Sequence, residues 1–160
     1  MPELALNVRG LTAKQPWPWA LLQPGGKDIE NRTWPIPRDL IGATVLLHAG
    51  QKVDRVALSD QRITALPDVP DLDDFVTGAI VGVGRLAACH AETGGCCAPW
   101  GDPTVLNQVF HWQIADLRPI KPIDYTGRLS LWHPSPDLDL SFLNHTPPKE
   151  EDNRVDGHRH

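Results

Sequence analysis

Residues 25–34, GGKDIENRTW, restrict most strongly what this chain can fold into. The run Pro24-Gly25-Gly26 ends any helix or strand before it, and Pro35 and Pro37 end any element that begins after Gly26. Proline removes a backbone donor and forces its neighbour into extended geometry, so the segment must be short and closed at both ends. The pattern therefore predicts a strand over residues 27–34, followed by an extended loop.

Charge is concentrated in this predicted strand. Side chains alternate between the two faces of a strand, which places Glu30, Arg32 and Trp34 on one face. Lys27 lies next to the turn and can swing toward the same face from the rim. Trp17 is supplied from just upstream. We interpret the segment as the wall of a pocket for a small ligand or a nucleotide.

The rest of the chain predicts short strands separated by turns. Apolar alternation and glycine bends indicate about six strands, over residues 5–13, 27–34, 43–49, 78–89, within 105–117, and 127–133. A short helix is predicted to open at Pro16, and a second covers residues 54–66. Glycines at positions 78, 82 and 84 suggest bends or close backbone approach. The expected class is α+β, a small β-barrel flanked by two or more helices.

Length and charge limit the organisation and the partners. The 160 residues predict one domain over residues 1–144 and a disordered polar tail over 145–160. The net charge of −5 argues against tracking along nucleic acid by phosphate neutralisation, although a local basic pocket stays open. We expect no membrane span and no signal peptide. Three closely spaced cysteines do not form a disulfide framework, so we expect a cytoplasmic location.

Gly25, Lys27, Glu30 and Arg32 together resemble the G-x-K-x-x-E-x-R signature of ASCH domains, part of the PUA-like superfamily. Three further pieces are similar to that family: Gln15-Pro16-Trp17 as its lead-in, His48-Ala49 at the end of its third strand, and residues 127–132 as its closing segment. The resemblance spans most of residues 6–133. It implies a PUA-like β-barrel with a cleft between the barrel and the helices.

The resemblance also implies a choice of functions. The family is thought to bind RNA or modified nucleobases in its cleft; some members hydrolyse an acylated cytosine, and others are proposed ribonucleases. In the amidohydrolase-type members a threonine nucleophile occupies the position of Glu30, so that mechanism does not carry over directly. Thr33 is close in sequence, but strand alternation directs it to the opposite face.

The residue types suit a nucleobase pocket. Glu30 can accept a hydrogen bond from an exocyclic amine, Arg32 and Lys27 can hold an anionic oxygen, and Trp17 or Trp34 can stack on a base. The competing interpretation is a Glu30–Arg32 salt bridge that closes the end of the barrel. The full predicted ligand-binding set is Gln15, Trp17, Lys27, Glu30, Arg32, Trp34 and His48.

The first alternative function is a hydrolase acting on a modified nucleobase or on RNA. Arg32 would lower the pKa of Lys27, Glu30 would act as base, and Lys27 or Arg32 would stabilise an oxyanion or phosphate. Enzymatic activity, as a nucleoside amidohydrolase or a ribonuclease, is left open, with Lys27 and Glu30 as the candidate catalytic residues. A further alternative is a protein-interaction module that uses the acidic surface and the tail.

Cysteine and histidine pairs raise the question of a metal. Cys89-His90 and Cys96-Cys97 supply ligand types that zinc accepts. Adjacent side chains in an extended chain point to opposite sides, so these pairs are not expected to converge. The sequence therefore predicts buried or loop thiols, no metal and no cofactor, and leaves metal binding by these four residues undecided.

Overall fold

The computed structural model describes residues 7–144, and the predicted tail over 145–160 lies outside them. Six strands carry the fold: β1 (Val8–Gln15), β2 (Glu30–Arg32), β3 (Thr44–Val53), β4 (Ala79–Ala91), β5 (Phe110–Asp124) and β6 (Leu131–Trp132). Two short α-helices, α1 (Trp17–Leu21) and α2 (Gln61–Thr64), lie between strands. Four 3-10 turns complete the elements: Arg38–Leu40, Val56–Ser59, Leu72–Asp74 and Ser141–Asn144.

The six strands form one mixed sheet in the order β2-β5-β4-β3-β1-β6. The β1–β3 pair is parallel, and the other pairs are antiparallel. The predicted α+β class and the number of strands agree with this arrangement. Strand pairing in the described residues leaves β2 and β6 as the two ends of the sheet, so the predicted closure into a barrel is not confirmed.

Several predicted boundaries are wrong, each for a local reason. β2 covers only residues 30–32 of the predicted 27–34, because residues 27–29 have no strand pairing and the chain bends at Thr33 and Trp34. β3 runs on to Val53, which places His48 inside the strand instead of at its rim. The predicted helix over 54–66 is divided at Asp60, whose carboxylate accepts from the backbone N–H of Arg62 and so begins a new helix.

The β4–β5 hairpin forms the centre of the sheet. β5 continues through residues 119–122, beyond the strand predicted within 105–117, because its register with β4 shifts and tolerates two prolines. The predicted close approach at Gly82 and Gly84 is confirmed: a Cβ at either position would lie under 3.0 Å from a side-chain atom of Leu22 or Ile114. The register shifts flank these glycines.

The core is built around the sheet. Trp112 of β5 is fully buried and packs with Leu11, Val45 and Leu86 from three other strands. A separate cluster lies under α1 and α2, where Ala20, Ile29, Ile63 and Trp100 come together. This second cluster supports the charged segment that ends in β2. Within residues 7–144 no helix is long and apolar enough to cross a membrane.

Candidate functional site

Lys27, Glu30 and Arg32 form one ion-pair group, as the sequence suggested. The two carboxylate oxygens of Glu30 are shared: Oε1 lies 3.7 Å from Lys27 Nζ, and Oε2 accepts from Arg32 Nε at 2.9 Å and also lies 2.9 Å from Arg32 Nη2. Their burial differs, since the side chains of Lys27 and Glu30 are 3% and 6% exposed whereas that of Arg32 is 20% exposed. Arg32 therefore carries the charge of the group to the surface.

Lys27 is enclosed beside an aromatic ring and lies near two arginines as well as Glu30. Its Nζ lies 5.1 Å from the centre of the Trp17 ring, a cation–π distance. Burial lowers the pKa of Lys27 from its ordinary 10.5; Glu30 and Asp102 oppose that shift, whereas the nearby arginines add to it. Desolvation dominates because an ammonium loses its water shell when it is enclosed.

Arg62 of α2 also lies near the Trp17 ring and extends the charged group. Its guanidinium carbon lies 5.7 Å from the Trp17 ring and 5.4 Å from the Trp100 ring. It pairs with Asp60 at 2.7 Å and with Asp102 at 3.0 Å, and it donates to the carbonyl of Pro99. These hydrogen bonds lower the pKa of Asp60 and raise that of Arg62.

A cavity of about 360 Å³ opens beside Arg32. Its lining comprises Asn31, Arg32, Thr33, Trp34, Asp102 and Val109. Trp34 is half-buried and meets Trp112 edge to face, with ring centres 4.8 Å apart. Asn31 is fixed in place, since its amide donates to the Trp100 carbonyl and accepts from the Asp102 N–H. The cavity thus combines a cation, an aromatic ring, an amide and a carboxylate.

Gln15 lies elsewhere and is occupied by the backbone. Its amide nitrogen donates to the carbonyl of Val76 at 2.9 Å, and its amide oxygen accepts from the N–H of Trp19 at 3.0 Å. The side chain is 3% exposed. It borders a mainly apolar cavity of about 480 Å³ with Trp19, Phe75 and other residues, away from the charged group. In this structure Gln15 anchors α1 to β1.

His48 is also held by protein partners. Nδ1 lies 3.1 Å from Thr12 Oγ1, and Nε2 lies 2.7 Å from the carbonyl of Tyr125. The ring is 2% exposed and meets Trp132 edge to face. Trp132 is itself buried and donates to Thr12 Oγ1. His48 borders a cavity of about 380 Å³ together with Gly127 and Arg128, distinct from the cavity beside Arg32.

Sequence reasoning missed four residues that shape the charged group: Thr12, Arg62, Trp100 and Asp102. Thr12 contributes its backbone carbonyl, which any residue has, so no sequence signal exists for it. Arg62 and Asp102 belong to segments about 30 and 70 residues beyond β2. The one signal in the sequence was for Arg62, a basic residue two positions after Asp60, which caps a helix.

The reasoning against convergent cysteine and histidine ligands fails for this loop. Cys96 and Cys97 lie in a turn, not in an extended chain, and both approach His90. The fourth member is His111 of β5, while Cys89 points away and accepts from the N–H of Ile36. The predicted pair Cys89-His90 is therefore split, and an unpredicted histidine joins the group.

Comparison with known proteins gives structural likeness only. No protein-family model matches the chain, and no curated protein is significantly similar to it. Among solved structures, a mutant of the ASCH protein from Zymomonas mobilis is 14% identical, with a TM-score of 0.46 over 74% of this chain and 76% of its own. The unmutated ASCH protein of that organism and a second mutant are each 14% identical, with TM-scores of 0.42. They cover 74% and 75% of this chain and 73% and 75% of their own chains, respectively.

These solved structures are ASCH domains, the family that residues 25–32 resemble. All three TM-scores lie below 0.5, so this likeness assigns no role to any residue of the chain.

Proposed function

We propose that this chain binds a nucleotide or a short single-stranded RNA at the cavity beside Arg32. The observation that carries the proposal is the grouping of Arg32, Trp34, Asn31 and Asp102 around one opening. An arginine can hold a phosphate, an indole ring can stack on a base, and the amide and carboxylate can pair with the edge of a base. A base stacked on Trp34 would contribute about 1–3 kcal/mol.

In this proposal Lys27 and Glu30 hold Arg32 in position. Glu30 binds Arg32 through Nε and Nη2, which fixes the plane of the guanidinium. Nη2 also donates to the Thr12 carbonyl, and among residues 7–144 the remaining nitrogen, Nη1, has no hydrogen-bond partner. Lys27 Nζ also lies 3.7 Å from Glu30, so one carboxylate faces two cations. The positive charge of Arg32 is therefore only partly neutralised. A preorganised arginine loses little side-chain entropy when it binds an anion.

The test uses a charge placed at the rim of the cavity. Thr33 is exposed and lines the opening, so Thr33→Glu adds a negative charge beside Arg32 without removing any of its contacts. Affinity for a fluorescent oligoribonucleotide and for nucleoside monophosphates should fall about tenfold. Thr77→Glu, at an exposed threonine away from this cavity, is the matched control and should bind as the wild type does. Equal affinity of the two variants, or no binding of any probe, would contradict the proposal.

A hydrolase is the second candidate, favoured by the lowered pKa of Lys27. Enclosed titratable groups with shifted pKa values are common in active sites. Glu30 would act as base, and Lys27 or Arg32 would stabilise the developing negative charge. Acylated cytidine and labelled RNA are the substrates to assay, because ASCH domains are the family that the motif resembles. Turnover by the wild type that is lost in Glu30→Gln would support this candidate, and turnover that survives the substitution would place the chemistry elsewhere.

A further inference from the structure

Four side chains with soft or imidazole ligand atoms meet where β4 ends and β5 begins. His90 and His111 are direct partners in the antiparallel β4–β5 ladder, so both project from the same face of the sheet. Cys96 and Cys97 come from the intervening loop, which folds back over that face. The four ligand atoms all lie within 4.8 Å of one another.

The spacing of these atoms resembles the edges of a small tetrahedron. His90 Nε2 lies 3.2 Å from Cys97 Sγ and 3.4 Å from Cys96 Sγ. Cys96 Sγ lies 3.5 Å from Cys97 Sγ and 3.5 Å from His111 Nδ1. Tetrahedral zinc with bonds of about 2.3 Å to sulfur and about 2.0 Å to nitrogen requires ligand–ligand edges of about 3.3–3.8 Å. These four pairs lie within a few tenths of an ångström of those edges. The two remaining pairs, His111 with His90 and with Cys97, lie within 4.8 Å, so His111 would have to approach by up to about 1–1.5 Å to complete the tetrahedron.

The surroundings of the four residues orient them as ligands. His111 is fully buried, and its Nε2 donates to the carbonyl of Asp102 at 2.8 Å, which leaves the lone pair of Nδ1 directed at Cys96. Zinc-binding histidines commonly make this kind of outer hydrogen bond. The loop is also held by Glu92, whose carboxylate accepts from the N–H groups of Gly95 and Thr104.

We propose that His90, Cys96, Cys97 and His111 bind one zinc ion. Two thiolates and two imidazoles in tetrahedral arrangement are a preferred zinc ligand set. All four positions are filled by the protein, which is typical of a structural site and not of a catalytic one. Binding releases the two thiol protons to solvent and leaves the thiolates on the metal.

The zinc would fix the loop that borders the charged group. Residues 97–102 carry Trp100, which packs under α1 and α2, and Asp102, which pairs with Arg62. A metal cross-link between this loop, β4 and β5 would hold both residues in place. The zinc site stands on its own geometry, and nothing in it requires that the chain bind nucleotides.

The experiment measures zinc directly on the full chain. Protein purified under reducing conditions should contain close to one zinc per chain by inductively coupled plasma mass spectrometry. X-ray absorption should show two sulfur neighbours at about 2.3 Å and two nitrogen neighbours at about 2.0 Å. Cobalt substituted for zinc should give visible ligand-field bands and thiolate charge-transfer bands.

Matched variants distinguish this site from other histidines and cysteines. The double substitution Cys96→Ser with Cys97→Ser, and separately His90→Ala, should abolish stoichiometric zinc. Cys89→Ser and His133→Ala, a thiol and an exposed imidazole outside the group, should retain it. Histidines 145, 158 and 160 are present in every variant, so any zinc they bind does not change between samples.

Three results would overturn the proposal. The first is a reduced wild type that neither contains nor takes up zinc. The second is zinc that persists unchanged in the double cysteine variant. A chelator should lower the melting temperature of the wild type and leave that of the double variant unaltered; an equal shift in both would also count against the site.

Discussion

Arg32 of β2 donates from Nη2 to the backbone carbonyl of Thr12 in β1, at 2.9 Å. β2 is one end of the sheet, and β1 is separated from it by three strands in the pairing order. The sheet therefore curls far enough for a side chain of the edge strand β2 to reach β1, the strand next to the opposite edge, across a seam without backbone pairing. Arg32 is thus the bridge across this seam as well as the exposed cation of the proposed site.

This bridge predicts a marked effect of Arg32 on stability. Arg32→Leu should lower the free energy of unfolding by about 2–3 kcal/mol, because it leaves the enclosed Glu30 carboxylate with Lys27 alone and opens the seam. Urea unfolding measures the loss. Arg85→Leu is the control: its pair with Asp116 is exposed, and its loss should cost under about 1 kcal/mol. Similar losses for both would mean that the seam contributes little.

The same group shows what the sequence could predict. Glu30 and Arg32 are two residues apart on a strand, so period-2 geometry alone predicted their pairing. Their burial could not be predicted, because it depends on tertiary contacts: Trp17 lies against Lys27, and Trp100 packs with α1 and α2. The strand count was recoverable from local patterns, whereas the curl that brings Thr12 to Arg32 is a tertiary property.

The cysteine loop shows a different limit of the sequence. Alternation is the correct rule for residues 89 and 90, which lie in β4 and point apart. It is the wrong rule for residues 96 and 97, because they occupy a turn. The contribution of His111 depends on the register of the β4–β5 hairpin, which shifts three times along its length. No pattern within the loop specifies that register.

The enclosed Lys27 predicts a specific dependence of stability on pH. Burial lowers its pKa below the ordinary 10.5, so between the lowered pKa and 10.5 the unfolded chain binds more protons than the folded one. Stability contributed by this group is complete above 10.5 and is lost as the pH falls through the lowered pKa. The melting temperature of the wild type minus that of Lys27→Met should therefore rise across this window.

Lys52→Met provides the control for that comparison, since Lys52 is exposed on β3. The difference between the wild type and Lys52→Met should not show the same rise. If the melting temperature of the wild type minus that of Lys27→Met does not change from neutral pH to 10.5, Glu30 compensates the burial of Lys27 completely.

The contacts of Arg62 are expected to hold the loop that carries Trp100 and Asp102 in one conformation. Arg62→Ala removes the ion pairs to Asp60 and Asp102 and the hydrogen bond to the Pro99 carbonyl. Amide hydrogen exchange of residues 97–102 should accelerate about tenfold or more, because these contacts hold the loop against α2. Arg55→Ala, at an exposed arginine just before the 3-10 turn Val56–Ser59, should leave this exchange unchanged. Equal protection in both variants would show that the loop is held by other contacts.

The contacts of Arg62 also predict a dependence on acid. Its hydrogen bond lowers the pKa of Asp60 below the ordinary 3.8. The stability from this interaction is present above 3.8 and is lost as the pH falls through the lowered pKa. The difference in unfolding free energy between the wild type and Arg62→Ala should shrink in that range, as measured by urea titrations at successive pH values. A difference that grows toward low pH would contradict the pairing of Asp60 with Arg62.

Gly101 predicts how closely the loop must pack around the proposed zinc site. A Cβ at this position would lie 2.6 Å from Cys97 Cβ and 2.9 Å from His111 Cε1, closer than carbon atoms approach one another. Gly101→Ala should therefore displace two ligands and weaken zinc binding about 10–100-fold, the range seen when the surroundings of a metal ligand are disturbed. Competition with a chromophoric chelator measures that affinity.

Gly95→Ala is the control, because Gly95 lies in the same loop with open space around its Cβ, so the substitution adds backbone strain without touching a ligand. A loss of affinity as large in Gly95→Ala would show that general loosening of the loop, and not the contact of residue 101 with Cys97 and His111, controls zinc binding.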